Sequence, residues 1–271
     1  MKQWQNNRLR TVLFVLFNLF TISYSFASGS KMPDVGNNAS GTQFEATAPE
    51  AYNAPWKQGN TSIVIDAYEG NSIDWNKMAT DSKVAAVVHR ISIGSKLDSA
   101  YEARKAEATR RGYLWGAYHL GMKGNTIAQA DLFISKVGDD RNTLMVLDLE
   151  DTSNGTFMTV NEAITFMQYV YDKTGRIPVV YANQATVKAL NEKVKDHPIL
   201  QQSKLWYARF TSSVKDFPRG IWEGYFLWQF SSELNCSTTG SCLYNVPGTK
   251  ADMDVNVFYG SKADLASQWN N

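Results

Sequence analysis

The chain has 271 residues, of which 44% are hydrophobic and 13% aromatic, enough for one large α/β domain or two small ones. The 27 Lys and Arg residues nearly balance the 26 Asp and Glu residues without a basic run, which argues against a nucleic-acid partner. The 3 His and 2 Cys residues show no metal-ligand spacing, so we expect neither a metal nor a cofactor.

The first segment has the composition of an export signal. Basic residues lie among the first ten, an apolar stretch covers residues 12–26, and Ser25-Phe26-Ala27 resembles a cleavage site. We predict a signal peptide over residues 1–27 and an exported product, periplasmic or secreted, without a stable membrane anchor. The alternative is an uncleaved anchor, but the apolar stretch is short for a membrane span and contains polar residues.

The next stretch, residues 28–60, is rich in Ser, Gly, Asn, Ala and Pro and has little apolar periodicity. This composition is typical of a disordered linker. We therefore expect one domain over residues 61–271, with structure beginning near Ser62.

Beyond Ser62, short apolar runs alternate with amphipathic segments. The runs that we predict as strands are 62–66, 85–91, 113–119, 144–149, 177–181, 204–208, 225–230 and 253–257. The predicted helices are 99–111, 126–137, 159–173 and 185–196. Repeated strand and helix units imply a parallel sheet covered by helices, and eight runs predict an α/β fold built as a single β/α barrel.

The run at residues 144–151 reads Leu-Met-Val-Leu-Asp-Leu-Glu-Asp and ends in carboxylates. Alternation along a strand places Asp148 and Glu150 on one face. An acid crowded by a second carboxylate and apolar walls has a raised pKa, so it keeps a proton for a leaving oxygen. Glycoside hydrolysis needs such a pair. The alternative is that these acids are solvated or cap a helix.

Several predicted strands end in polar or aromatic residues. In a β/α barrel, functional groups collect at the carboxyl ends of the strands, so these residues are candidates for one shared site. They are Asp66, Arg90, Tyr118, His119, Asp148, Glu150, Tyr181, Trp228 and Gln229.

Cys236 and Cys242 flank the small loop Ser-Thr-Thr-Gly-Ser. In an oxidising compartment this pair would close the loop as a disulfide, which fits the predicted export. A reduced, surface-exposed pair is the alternative.

An ordered set of motifs identifies a family resemblance. The motifs are Val64-Ile-Asp-Ala, Ile73-Asp-Trp, Ala117-Tyr-His, Leu147-Asp-Leu-Glu, Thr174-Gly-Arg-Ile-Pro-Val-Val-Tyr, Leu205-Trp-Tyr-Ala, Trp228-Gln-Phe-Ser-Ser and Asp254-Val-Asn-Val-Phe. In this order they resemble glycoside hydrolase family 25, the lysozyme-like muramidases, over about residues 62–260.

The resemblance implies a β/α barrel that cleaves the β-1,4 bond between N-acetylmuramic acid and N-acetylglucosamine in peptidoglycan strands. By position, Glu150 resembles the general acid/base and Asp148 its partner. Asp66 resembles a further active-site aspartate, and Asp254 matches an acid near the last strand. Two routes stay open: attack by an aspartate, or attack by the sugar's acetamido group with Asp148 orienting its N–H. We expect a monomer.

Other site candidates have structural alternatives. Four aromatic residues are candidate walls for sugar rings: Tyr118, Tyr181, Trp206 and Trp228. Core packing is the alternative for each, and we favour it for Trp206. His119 is equally well interpreted as a buried structural histidine. Arg90 either binds an acidic peptide stem or pairs with a buried carboxylate.

The first loop departs from the family pattern. After Asp66 the family commonly has Val-Ser, one variable residue, an aromatic residue, Gln and Gly, whereas Ala67-Tyr-Glu-Gly here is shorter and has Glu69 in place of Gln. We expect Glu69 to add a carboxylate near the cleft. The departure motivates two alternative functions, a weak or inactive glycan-binding barrel and a hydrolase of another N-acetylated glycan.

Overall fold

The structure is a computed structural model, and it describes residues 45–270. The predicted signal peptide and the first part of the predicted linker lie outside these described residues. Within residues 45–270, no helix has both the length and the apolar character needed to cross a bilayer.

A closed barrel of eight strands forms the centre of the described chain. The strands are β1 (Ser62–Ala67), β2 (Val84–Ile93), β3 (Lys96–Leu97), β4 (Leu114–Leu120), β5 (Leu144–Asp148), β6 (Val179–Asn183), β7 (Leu205–Ala208), β8 (Leu227–Ser231) and β9 (Asp254–Phe258). The barrel order is β1-β2-β4-β5-β6-β7-β8-β9, and β9 pairs with β1 to close it, while β3 forms a hairpin on β2. The predicted α/β barrel is therefore confirmed.

The prediction of an all-parallel sheet is wrong for the last strand. β9 runs antiparallel to both β8 and β1, whereas the neighbours from β1 to β8 around the barrel are parallel. The segment between β8 and β9 contains only a short 3₁₀ helix, Glu233–Asn235. Without a crossover helix the chain re-enters the sheet from the same end, which makes the pairing antiparallel.

Helices cover the outside of the barrel. They are α1 (Trp75–Met78), α2 (Tyr101–Arg110), α3 (Thr126–Val137), α4 (Val160–Thr174), α5 (Gln184–Val194), α6 (Pro198–Gln201) and α7 (Lys262–Gln268). The four predicted helices correspond to α2 to α5. The start of α4 is set by a capping box between Thr159 and Glu162, and its end by Gly175, whose φ of 69° suits glycine.

Alternation along the strands separates two apolar layers. Val64, Val88 and Val146 point into the barrel and belong to one buried cluster with Trp206 and Phe226. The intervening residues pack beneath the helices. The same alternation decides which polar side chains reach the inside of the barrel.

Residues 45–60 correct the linker prediction. They form two short 3₁₀ helices, Pro49–Tyr52 and Pro55–Lys57, and bury Trp56 in a stack on Phe230 with ring centroids 3.7 Å apart. The Ala46 carbonyl lies 2.4 Å from where a Cβ on Gly224 would stand, so only glycine permits this approach. The average composition of this stretch is polar, but a few large aromatic side chains in it are buried against the barrel and hold it in place.

The predicted disulfide between Cys236 and Cys242 is present, and it closes a small loop within the segment between β8 and β9.

Candidate active site

A cavity of about 150 Å³ opens at the carboxyl ends of the parallel strands. Strand register brings its groups together: Asp66 faces Asp254 across β1 and β9, and Asp148 lies beside Tyr181 across β5 and β6. Residues opposite each other in neighbouring strands share a face, so all these side chains point inward. The lining residues are Asp66, Tyr118, Asp148, Glu150, Tyr181, Trp206, Gln229 and Asp254.

Asp66 is held by two amide groups. Its Oδ2 accepts hydrogen bonds from Asn256 Nδ2 at 2.8 Å and from Gln229 Nε2 at 3.0 Å. The Tyr181 hydroxyl donates to Gln229 Oε1 at 2.7 Å, which orients that amide. Burial raises the pKa of Asp66 to about 6, while the two amide donors act in the opposite direction.

Asp148 is the last residue of β5, and its Oδ1 is buried without a hydrogen-bond partner. Burial raises the pKa of Asp148 well above its usual value, and the negative charges of Glu150, Asp66 and Asp254 raise it further. The protonated form of this carboxyl is therefore favoured over the charged form. No described residue donates a hydrogen bond to its Oδ1.

Glu150 lies two residues beyond Asp148, and its side chain is less deeply buried. The Thr186 hydroxyl donates to the Glu150 carbonyl at 3.0 Å, so α5 fixes the backbone that carries this acid. Burial raises the pKa of Glu150, and the charge of Asp151 adds to the increase. A carboxyl with a raised pKa at a cavity mouth suits proton donation to a leaving oxygen.

Asp254, the first residue of β9, is the remaining carboxyl in the cavity. Burial raises the pKa of Asp254 to about 9, and the charge of Asp66 is the next cause. Four carboxyls thus share one small space, and no Lys or Arg side chain is among its described lining residues. Within residues 45–270, no group of His, Cys, Asp and Glu side chains has an arrangement that would hold a metal ion.

Aromatic side chains form the remaining walls. Tyr118 and Tyr181 line the cavity, and so does Trp206, for which we favoured a core position. Trp206 combines both positions, because it belongs to the barrel cluster and its indole N–H donates to Asn256 Oδ1 at 2.6 Å.

Two predicted site residues lie on the outer face of the barrel. His119 is fully buried between Ser92 and Gln129, with ring-nitrogen contacts of 2.8 Å and 3.0 Å, and stacks on Phe166. Burial lowers its pKa to about 4, which fits a neutral structural histidine. Trp228 is also fully buried and donates its indole N–H to a main-chain carbonyl. Each is the sequence neighbour of an inward residue, so alternation directs it away from the cavity.

Arg90 does not line the cavity. Its Nε lies 3.2 Å from the Oδ2 of Asp98, whose side chain is inaccessible, and its guanidinium lies 4.7 Å from the ring centroid of Tyr68. The interpretation as a partner of a buried carboxylate is the one that the structure supports.

The altered first loop packs against α2. Glu69 accepts hydrogen bonds from the main chain and hydroxyl of Ser99, at 3.0 Å and 2.6 Å, and does not line the cavity. The carboxylate of Glu69, which we expected near the cleft, is therefore not part of the cavity wall. Arg104 holds the loop by donating to the carbonyls of Tyr68 and Asn71, at 2.7 Å and 2.5 Å.

Asn256 is the functional residue that sequence analysis missed. It is fully buried and donates to both Asp66 and the main chain of Val64. The signal was present, because Asn256 follows Asp254 by two residues and alternation puts both on one face.

Comparisons with known proteins identify the family and the fold. The family model described as glycosyl hydrolases family 25 matches residues 65–239. A bacterial lysozyme from Streptomyces coelicolor has a TM-score of 0.62 and 23% identity over 79% of this chain and 99% of its own. A family GH25 lysozyme from Aspergillus fumigatus has a TM-score of 0.61 and 21% identity over 78% of this chain and 100% of its own.

The spore cortex lytic enzyme of Clostridium perfringens has a TM-score of 0.62 and 21% identity, covering 76% of this chain and 68% of its own. A search of curated proteins found no match. At these identities the structural likeness shows the fold, whereas the family model covers more than half of the chain. The chain therefore belongs to family 25 of the glycosyl hydrolases.

Proposed function

We propose that this protein is an exported peptidoglycan hydrolase that cleaves the β-1,4 bond between N-acetylmuramic acid and N-acetylglucosamine. One observation carries the proposal: four carboxyls and three aromatic side chains face a single cavity at the catalytic end of a family 25 barrel. Proteins with similar structures include lysozymes and a spore cortex lytic enzyme. The predicted signal peptide and the disulfide support export.

Glu150 is the general acid/base in this proposal. Its raised pKa lets it hold a proton until the glycosidic bond lengthens, and it then removes a proton from the attacking water. The carboxyl of Asp66 stabilises positive charge that develops at the sugar ring, because the two amide donors favour its ionised form.

We assign Asp148 to the route in which the acetamido group of the sugar attacks. A carboxyl whose burial favours the protonated form is a poor nucleophile, and its Oδ1, which no described residue contacts as a donor, can accept the acetamido N–H of a bound sugar. Asp148→Asn keeps an acceptor oxygen and should retain more activity than Asp148→Ala, measured as the initial rate of reducing-sugar release. Equal and complete loss in both variants would support direct attack by Asp148 instead.

The test of the function is mass spectrometry of soluble products after the chain from Glu45 onward is incubated with purified peptidoglycan. Fragments that end in reducing N-acetylmuramic acid are expected. Fragments that end in reducing N-acetylglucosamine would show that the protein is a hydrolase but that it cleaves the other glycosidic bond of the glycan strand. If the folded protein binds the glycan and releases no fragments, the proposal fails in favour of a binding role.

A further inference from the structure

A second, larger cavity of about 430 Å³ lies at the opposite end of the barrel. It is lined by Leu144 and Val179, the first residues of β5 and β6, so it is separate from the catalytic cavity at the other ends of these strands. Its volume falls within the range of small-molecule sites in proteins.

Three cationic side chains line this cavity: Arg141, Arg176 and Lys204. Each donates its described hydrogen bonds to main-chain carbonyls: Arg141 to Thr174, Arg176 to Asp140 and Thr143, and Lys204 to Gln268. None of the three forms an ion pair with a described carboxylate. The nearby Asp140 carboxylate pairs instead with Lys105 at 2.8 Å.

Lys204 is the most unusual of the three because its residue is only 5% exposed. An ammonium group has three N–H donors, and one of them reaches a carbonyl while the group lies 4.9 Å from the ring centroid of Phe226. Burial lowers the pKa of Lys204 to about 8, and the cost of burying this charge falls when an anion is adjacent.

Capping of helix ends explains only part of this arrangement. Thr174 and Gln268 are the last residues of α4 and α7, and cations near helix C-termini are stabilising. A guanidinium has five donors and an ammonium three, however, and the hydrogen bonds to described residues use only one or two of them on each cation.

The remaining walls are flat or apolar. Tyr171, Ile177 and Trp269 line the same cavity as the cations. Such a lining suits a ligand with a charged group at one end and a planar or apolar body, since guanidinium groups bind phosphates and carboxylates through paired hydrogen bonds.

We propose that this cavity binds a small organic oxyanion, a phosphate or carboxylate group on a planar or apolar body. The proposed site goes beyond the hydrolase function and does not depend on it. The three cations bind the oxyanion, and Tyr171 and Trp269 pack on the body of the ligand.

The proposal is tested by isothermal titration calorimetry of the full chain with phenyl phosphate, benzoate and inorganic phosphate. We expect saturable binding of phenyl phosphate, and weaker binding of inorganic phosphate because it lacks the ring. Tighter binding of phenyl phosphate than of benzoate would identify the ligand class as a phosphate, and the reverse order as a carboxylate.

Two variants locate the binding. Arg141→Gln removes an exposed side chain with little effect on folding, and Arg176→Gln removes the more buried guanidinium. Each should weaken binding about tenfold, the effect of losing one charge-assisted hydrogen bond. Arg110→Gln, on the exposed face of α2, is the matched control and should bind as the wild type does. No saturable binding of either aromatic probe, or an affinity equal to that of the wild type in both cavity variants, would overturn the proposal.

Discussion

At the residue scale, the cavity concentrates acids where water is scarce. Asp66, Asp148, Glu150 and Asp254 all have raised pKa values, and burial is the largest cause for each. Among these four, only Asp66 accepts hydrogen bonds from described side-chain amides, so its ionised form is the one that hydrogen bonding stabilises most. Differences in burial and hydrogen bonding thus give chemically identical groups different roles.

The raised pKa of Asp254 makes the stability of the fold depend on pH. The folded chain keeps a proton on Asp254 up to about pH 9, whereas the unfolded chain loses it near its ordinary pKa of 3.8. The stabilising contribution of Asp254 is therefore fully present below pH 3.8 and is lost as the pH rises through 9.

Asp254→Asn removes this ionisation and should be more stable than the wild type at about pH 8 by at least ~1.4 kcal/mol, the equivalent of one pKa unit. Urea unfolding across the pH range measures the difference, which should vanish at about pH 4. Asp172→Asn, an exposed carboxyl on α4, is the control. Parallel stability curves for the wild type and Asp254→Asn would contradict the assigned pKa direction.

Strand alternation predicted the inward position of Asp148, and the structure agrees. The same rule, applied to neighbouring pairs, excludes His119 next to Tyr118 and Trp228 next to Gln229, because adjacent strand residues face opposite sides. Position at the end of a predicted strand, used alone, did not separate the two residues of either pair. The hydrogen bond from Asn256 to Asp66 depends on β9 pairing with β1, which local sequence does not reveal.

At the element scale, the first loop shows how a departure from the family pattern is accommodated. Arg104 of α2 bonds the carbonyls of Tyr68 and Asn71, and its Nη1 also lies 2.9 Å from His89 Nε2. Asp98 accepts a hydrogen bond from the main chain of Glu69 at 3.0 Å. α2 and the residues before it therefore position the loop that follows Asp66.

Arg104→Met should destabilise the fold by about 2 kcal/mol, because it leaves two loop carbonyls without their donor. Guanidinium-chloride unfolding measures the loss, and amide hydrogen exchange should speed up at residues 68–71. Arg110→Met, on the exposed face of the same helix, should change stability by less than about 0.5 kcal/mol. Equal effects of the two substitutions would show that Arg104 does not hold the loop.

The direction of β9 illustrates a limit of pattern reading. Apolar periodicity predicted a last strand near residues 253–257, but the direction of a strand depends on what connects it to its neighbour. The segment between β8 and β9 carries a disulfide and one 3₁₀ helix, and it has no crossover helix. The count of eight apolar runs was enough to predict a barrel, but it could not predict that its last strand is antiparallel.

At the scale of the whole molecule, residues 45–60 are part of the same folded unit as the barrel. The Tyr225 hydroxyl donates to the Ala51 carbonyl at 2.5 Å, and Trp56 packs on Phe230 and Trp228. Composition averaged over residues 28–60 was polar enough to predict a linker. The few buried aromatics that determine folding contribute little to such an average.

Removal of this segment tests its contribution. A chain that begins at Ser62 should be less stable than one that begins at Glu45 by at least about 3 kcal/mol, the cost of losing one large buried aromatic side chain. Urea unfolding of both chains measures the difference, and Trp56→Ala in the longer chain should reproduce much of it. Identical unfolding midpoints would contradict this account and show that the stable domain begins near Ser62.

The most direct test of the proposed hydrolase is the rate at which Glu150→Gln releases reducing sugars from peptidoglycan. The substitution keeps the size of the side chain and removes its proton transfer, so the rate should fall about 10² to 10⁴-fold while the unfolding midpoint stays near that of the wild type. Asp172→Asn, an exposed carboxyl on α4, is the control and should stay within a few-fold of the wild type. A Glu150→Gln variant with wild-type turnover would contradict the assignment of Glu150 as the general acid/base.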